Sequence, residues 1–404
     1  MSTTVDRPPV APTVLTLALV LGGLSAFGPL SIDMYLPAMP RMAVDLHASD
    51  ATVQLTLTSF IIGLALGQLV VGPLSDSLGR RRPLLVGLAL YAVGSVLCAV
   101  SPTSGVLIGA RAVQAVGAAA GLVIARATVR DRYSGIAMAR FFSTLMLVNG
   151  VAPVLAPVIG AQLLTWTSWR GVFVTLAVIG TALLAVVVLL LPESLPADLR
   201  TPARPVAVVR TYARLFTQRS FVGYALASGL MFAAMFAYIS GSSFALQDVY
   251  GLSPQQFSLV FGLNGVGIIL AGGVNRRLVG RFGEHVMMRS GLVLAAVSGL
   301  AVLAAVATGL GLVGLLVPLF FLVSAVGVVL PNATSLALAD QARSAGAASA
   351  LLGVFQFVIG GGLATPLVGL GGPGTALPMA VVIAGFGVLA LLVSLVVNRA
   401  PAAG

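Results

Sequence analysis

Charge is what this chain has least of: 8% of its residues are charged, and none of them is lysine. A soluble globular domain carries roughly 25% charged residues to hydrate its surface. With 58% hydrophobic residues over 404 positions, an ordinary water-exposed surface is excluded and lipid is the expected solvent. Cysteine is nearly absent too. The single Cys98 rules out a disulfide within the chain and a cysteine metal cluster, and it reads as a small core residue. Histidine occurs only as His47 and His285, both in expected loops. The chain also lacks HExxH and GxSxG sequences. Neither a metal centre, nor a cofactor, nor an activated nucleophile is therefore expected, so a membrane enzyme would lack its chemistry.

What is present is a series of apolar runs punctuated by arginine. A helix rising ~1.5 Å per residue needs ~20 residues to cross a ~30 Å hydrocarbon core. On that basis spans are predicted near 13–35, 53–71, 84–100, 105–125, 141–164, 171–191, 221–246, 257–274, 290–307, 312–330, 346–367 and 377–397, twelve in all. Three of the divisions rest on turn residues rather than charge: Ser101-Pro-Thr-Ser-Gly105, Thr308-Gly-Leu-Gly311 and Gly371-Gly-Pro-Gly374, clusters that interrupt helices. The first run continues from Val10 to Ala38 with a single charge. That is too long for a secretory signal, whose apolar region is ~7 to 15 residues.

Arginine orients these spans, because short cytoplasmic loops retain basic residues and exported loops are depleted of them. With the N-terminus inside, loops 80–82, 126–140, 200–219 and 276–289 hold three, four, five and four arginines, and Arg7, Arg343 and Arg399 join them. Only Arg41 and Arg170 fall outside, and Arg111 is left within a span. Both termini are thus expected in the cytoplasm. The net charge of +11 becomes a topology signal, and no nucleic-acid partner is expected. The polar stretch 192–220, with Pro192, Pro196, Pro202, Pro205 and five arginines, reads as a cytoplasmic linker between an N-terminal six-helix bundle, 1–191, and a C-terminal one, 221–404. Two parallel halves with a site at their interface form a transporter layout.

Four segments carry candidate chemistry. Gly72-Pro-Leu-Ser-Asp-Ser-Leu-Gly-Arg-Arg-Arg82 sits between the second and third spans, where Gly72 and Gly79 permit tight turns and Asp76 has Arg80, Arg81 and Arg82 in reach. Arg111 opens Arg111-Ala-Val-Gln-Ala-Val-Gly-Ala-Ala-Ala-Gly121. An arginine at membrane depth costs several kcal/mol unless it faces water or an acceptor, so it is a functional candidate. Gly117, Ala120 and Gly121 share a face there and would let a neighbouring helix approach closely. Asp33 is the only charge between Arg7 and Arg41, in Gly28-Pro-Leu-Ser-Ile-Asp-Met-Tyr-Leu-Pro37, and Arg111 is its expected partner. Apolar surroundings favour the neutral carboxyl and a guanidinium the ionised one, so a carboxyl there is suited to cycling a proton. Finally, Gly150-Val-Ala-Pro-Val-Leu-Ala-Pro-Val-Ile-Gly160 places Pro153 and Pro157 on one face. Each proline removes a helical hydrogen bond, so a bent helix beside a close-packed surface is expected.

These segments resemble the major facilitator superfamily, and within it the bicyclomycin-resistance (Bcr/CflA) branch of the drug:proton antiporters. The loop 72–82 is similar to the family's signature loop, with Ser77 where an arginine is frequent; Arg111, Gln114 and Gly117 match the fourth-helix pattern, and Arg126, Arg130 and Asp131 fit its inner end. The Pro157 and Gly160 pair resembles the fifth-helix antiporter motif, although Ala156 and Ala161 stand where glycines are usual. Ser31–Ala38, Ala227–Phe236, Pro331-Asn-Ala333 and Gly346–Gly353 extend the likeness over nearly the whole chain.

The resemblance implies an all-α membrane protein of the major facilitator fold, with twelve transmembrane helices in two pseudo-symmetric bundles. It implies export of small amphipathic drugs against protons, with Asp33 and Arg111 in proton coupling and Asp76 and Arg80 latching the halves on the cytoplasmic side. Helices that face the cavity in this family would bring Tyr35, Gln114, Met146, Phe232, Met235, Phe236, Phe261, Phe355, Gln356 and Phe357 to the substrate. A monomer in a bacterial plasma membrane, working on a drug-like substrate and protons within a lipid bilayer, is expected. A facilitator or proton symporter of a metabolite on the same fold is the alternative.

Overall fold

The computed structural model describes residues 14–200, 205–339, 341, 345–372 and 374–397. The orienting arginines Arg7, Arg204, Arg343 and Arg399 lie outside them. Twelve described helices are long and apolar enough to cross a membrane, and no strand occurs among the described residues. Their main helices are α1 (Val14–Asp33), α2 (Asp50–Leu78), α3 (Arg81–Ala99), α4 (Ser104–Arg132), α5 (Gly135–Leu163), α6 (Trp169–Leu190), α7 (Arg219–Phe244), α8 (Pro254–Phe282), α9 (Glu284–Thr308), α10 (Gly311–Leu338), α11 (Ala345–Phe357), whose span continues to Gly369, and α12 (Leu377–Val397). A short helix, Met39–Asp45, continues α1 after a 3-10 turn, and the linker carries a further helix, Pro205–Phe216.

Local chemistry sets several starts. Ser49 caps α2 by accepting from the Thr52 amide, Thr103 caps α4 at Val106, and Ser253 with Gln256 forms a reciprocal capping box on α8. Such caps satisfy amides that the first helical turn leaves unpaired. The helix of the eleventh span is the irregular one. At Val358–Ala364, around Gly360, Gly361 and Gly362, it passes through a π-helical turn before resuming at Thr365–Gly369.

The helices form two six-helix bundles with one packing plan. In the first, α2 packs on α4, α3 on α4 and α6, and α1 on α4 and α5. Adding six to each number gives the contacts of the second, α8 on α10, α9 on α10 and α12, and α7 on α10 and α11. Small residues make the first bundle tight. A Cβ on Gly117 would stand 2.4 Å from the Tyr91 nitrogen of α3, and one on Gly121 would stand 3.1 Å from the Leu24 carbonyl of α1. Close backbone approach of this kind is what holds helices together where lipid removes the hydrophobic drive. Large apolar side chains such as Leu66, Val70, Leu270, Val297 and Leu389 remain exposed around the outside, as a lipid-facing surface requires.

Between the bundles α5 meets α8, and α2 meets the α11 segment. Among the described residues three hydrogen bonds cross there: Ser243 Oγ donates to Leu36 O at 2.5 Å, Ser258 Oγ to Pro157 O at 2.9 Å, and Gln255 Nε2 to Ala161 O at 3.1 Å. All three belong to the end of the molecule opposite the arginine-rich loops, and that end is closed.

Candidate functional site: an aromatic cavity between the bundles

Arg111 is fully buried, and its donors are all directed at the first bundle. Nη2 donates to Ser31 O at 2.9 Å, Nη1 to Gln114 Oε1 at 2.6 Å and Nε to Thr56 O at 3.5 Å. Its guanidinium lies 4.5 Å from the Tyr35 ring centre and 4.2 Å from that of Phe60, a favourable stacking for a desolvated cation. Gln114 passes the network on to Ser95 at 2.8 Å, and the Tyr91 and Ser31 hydroxyls meet at 2.8 Å. The result ties α1, α2, α3 and α4 together.

Arg111 therefore does not pair with Asp33, contrary to the sequence expectation. The reason is helical geometry: at about 100° per residue, Ser31 and Asp33 lie on opposite sides of α1. Ser31 turns its hydroxyl toward Tyr91 of α3, on the side where its carbonyl accepts from Arg111, and Asp33 turns away into a space between the bundles. There it is 4% exposed, and no described cation forms an ion pair with it.

That space is a cavity of about 220 Å³. Its wall is mostly apolar and aromatic: Phe232, Met235, Phe236 and Ile239 from α7, Phe261 and Ile268 from α8, Phe357 from α11, Ile32 from α1, Leu64 from α2 and Leu122 from α4. Tyr238 stacks on Phe261 with ring centres 5.4 Å apart, and its hydroxyl accepts from Asn264 Nδ2 at 2.8 Å. Asp33, Arg126, Asn149 and Asn264 supply the polar part of the wall, and Pro153 of α5 faces it too. Apolar walls with a few polar groups suit a drug-sized ligand.

The expected pocket residues divide. Phe232, Met235, Phe236, Phe261 and Phe357 line the cavity. Tyr35 and Gln114 do not, because the buried guanidinium of Arg111 draws one as a ring partner and the other as an acceptor. Gln356 instead donates to Ser228 Oγ at 3.3 Å, and Phe355 lies against Phe216 of the linker helix at 5.5 Å. Met146 is on α5, with its side chain outside the described residues. Leu122, Asn149, Tyr238 and Asn264 are wall residues that the sequence reading missed; the two asparagines, polar groups inside apolar runs, were the available signal.

On α5, Gly160 and Gly150 also part company. A Cβ on Gly160 would fall 1.8 Å from Met34 O, next to Asp33, whereas one on Gly150 would meet nothing within 4 Å. The close-packed surface is thus confined to the Gly160 end.

The expected signature loop is helical as far as Leu78, at the end of α2, so Gly72 makes no turn and the break falls at Gly79; the segment is a cluster of its own at the arginine-rich end. Arg80 bonds Asp76, donates from Nε to Asp131 Oδ2 at 2.8 Å and from Nη1 to Ser75 Oγ at 2.9 Å. Burial works against the Arg80 charge, but the hydrogen bonds it donates to Asp131 and Asp76 and their negative charges outweigh it and raise its pKa. Glu193, unforeseen from sequence, completes the cluster from the linker. Its carboxylate accepts the backbone N–H of Arg80 at 2.8 Å, Arg81 at 3.2 Å, Ser194 at 3.0 Å and Leu195 at 3.0 Å. Of the three residues expected together at the end of α4, Asp131 joins this cluster, Arg130 is exposed and Arg126 enters the cavity.

Comparison with known proteins agrees with this architecture. Residues 19–365 match the family described as the Major Facilitator Superfamily. An uncharacterized MFS-type transporter YdgK of Bacillus subtilis is 42% identical over 90% of this chain and 91% of its own length. The bicyclomycin resistance protein homolog of Haemophilus influenzae is 32% identical over 85% of this chain and 86% of its own. Multidrug resistance protein MdtL of Escherichia coli is 28% identical over 81% and 82%. In fold, the xylose transporter XylE of E. coli superposes with a TM-score of 0.74 at 14% identity, covering 96% of this chain and 98% of that one. A bacterial homolog of the human lysosomal transporter Spinster gives 0.75 at 17%, covering 95% and 96%. The chain belongs to the major facilitator superfamily, within its bicyclomycin-resistance (Bcr/CflA) branch. It is a multi-pass membrane transporter and not an enzyme.

Proposed function

We propose that this transporter exports small amphipathic, drug-like compounds in exchange for protons, by alternating access of the cavity between its bundles. The observation that carries the reading is Asp33: a carboxyl without an ion-pair partner among the described residues, in the wall of an aromatic cavity. The printed names of two relatives, one for bicyclomycin and one for multidrug resistance, support drugs as the cargo. Asp33 gives up its proton as substrate enters from the cytoplasm and regains one from outside. Arg111 acts as a positioning residue, fixing the end of α1 through Ser31 O and so fixing where Asp33 points. One proton moving through ~150 mV supplies ~3.5 kcal/mol, enough for a gradient of a few hundredfold.

In this reading 1–191 and 221–404 are the two halves and 192–220 their cytoplasmic linker. The protein sits as a monomer in the plasma membrane with both termini inside, and the closed end faces outward. Asp76, Gly79, Arg80 and Arg81 form the cytoplasmic gate, while Pro153 and Pro157 bend α5 beside the cavity. Proton release on adding candidate drugs to purified protein in detergent tests the proposal. Wild type should release a proton and Asp33→Asn should not; binding without release from wild type would favour the facilitator alternative.

A further inference from the structure

Two arginines of α4, Arg111 within the span and Arg126 at its inner end, have opposite surroundings. Arg111 is fully buried, with its donors spent on Ser31, Thr56 and Gln114. Arg126 is exposed into the cavity, and no hydrogen bond or ion pair to it is found among the described residues. Leu122, one turn earlier on the same face, is also a wall residue, so the guanidinium is directed inward by the helix itself.

A guanidinium directed into a largely apolar cavity without a partner among the described residues calls for a partner from elsewhere. Asp33 cannot serve. It lies at the level of Ser31, which Arg111 touches, and Arg126 is fifteen residues further along α4, about 22 Å at 1.5 Å per residue. At ~20 Å two unit charges attract by only about 0.8 kcal/mol even at an effective dielectric of ~20. The cavity is therefore bipolar, with a carboxyl at its closed end, a guanidinium toward the arginine-rich end and aromatic rings between. Asp33 and Arg126 are the charged residues in its described wall.

Resting on the export reading above, we propose that Arg126 is the specificity-determining residue, binding the anionic group of an amphipathic acid or zwitterion whose apolar body lies among Phe232, Phe236, Phe261 and Phe357. A guanidinium takes a carboxylate, sulfonate or phosphate through two parallel N–H donors, a match that a neutral or cationic head group cannot make. Arg126 thus selects the substrate at one end while Asp33 exchanges the proton at the other.

The test uses three fluorescent probes sharing one aromatic body: dansylglycine, with a carboxylate; dansylglycinamide, neutral; and dansylethylenediamine, cationic. Each is titrated into the purified full chain in detergent, as wild type, Arg126→Gln and Arg126→Lys. Arg126→Gln should lose at least ~10-fold more affinity for dansylglycine than for dansylglycinamide, as removal of one partner of a charge pair does. It should leave dansylethylenediamine no weaker than in wild type, and Arg126→Lys should recover part of the loss. Equal changes for all three probes, or none, would overturn the role of Arg126 while leaving drug export standing. A folded wild type that binds none of the probes would overturn both readings.

Discussion

Glu193 serves four backbone amides with one carboxylate, and its place explains why residue 79 is glycine. The φ of Gly79 is 89°, and a Cβ there would stand 2.5 Å from Glu193 Oε2, so both conformation and space forbid a side chain. Burial pushes the Glu193 pKa up, but the amides of Leu195, Arg80, Arg81 and Ser194 together hold it below its ordinary 4.5. A carboxyl with a lowered folded pKa stabilises the fold above its unfolded value and loses that contribution as pH falls through the folded one. Glu193→Gln should therefore melt below wild type at pH 7, and the gap should close as pH falls below about 4.5. Melting curves across pH check this; a gap independent of pH would mean that Glu193 acts by shape alone. Asp33 and Arg111 were legible in the sequence because each is a lone charge in an apolar run. Glu193 was not, since it stands in a polar stretch and its partners lie 113 and 112 positions away.

At the scale of the helix, the charges and turns of the sequence mark the depth of the lipid, and the helices run past it. The spans read as 53–71 and 257–274 became Asp50–Leu78 and Pro254–Phe282, because backbone hydrogen bonding continues into the headgroup region where hydropathy no longer reports it. Which side of a helix meets which neighbour was only half legible. Aromatics on α7 and α8 reached the cavity as expected, whereas Tyr35 and Gln114 were recruited by Arg111, a contact set by the fold. α5 gives the sharpest test of packing at this scale. Gly160→Ala should destabilise by ~1–3 kcal/mol, because Met34 O leaves no room and α5 must shift. Gly150→Ala, with nothing near its added Cβ, should be neutral or stabilising by up to ~1 kcal/mol through helix propensity. Thermal unfolding in detergent reads both, and equal losses would show that the whole α5 face is tightly packed.

For the whole molecule, the packing of α5 on α8 and of α2 on the eleventh span, with three hydrogen bonds between described residues, closes the end opposite the arginine-rich loops. Each neutral hydrogen bond contributes about 0.5–1.5 kcal/mol net, so the bonds from Ser243, Ser258 and Gln255 together amount to a few kcal/mol. Differential binding of a proton or a substrate supplies free energy of that size, and a two-state equilibrium responds to such a difference. Alternating access then requires this seam to part, and its geometry offers a direct trial. A Cβ on Gly369 of the eleventh span would lie 3.0 Å from Ala51 Cβ of α2, close to the ~3.5–4.5 Å that a disulfide spans. In a Cys98→Ser background, the pair Ala51→Cys and Gly369→Cys should form a disulfide on oxidation. Transport in reconstituted vesicles should then fall to background and return on reduction, while substrate binding from the arginine-rich side persists in both states. Undiminished transport by the cross-linked protein would mean that the seam stays shut during turnover, and the substrate would have to leave by a route other than this end.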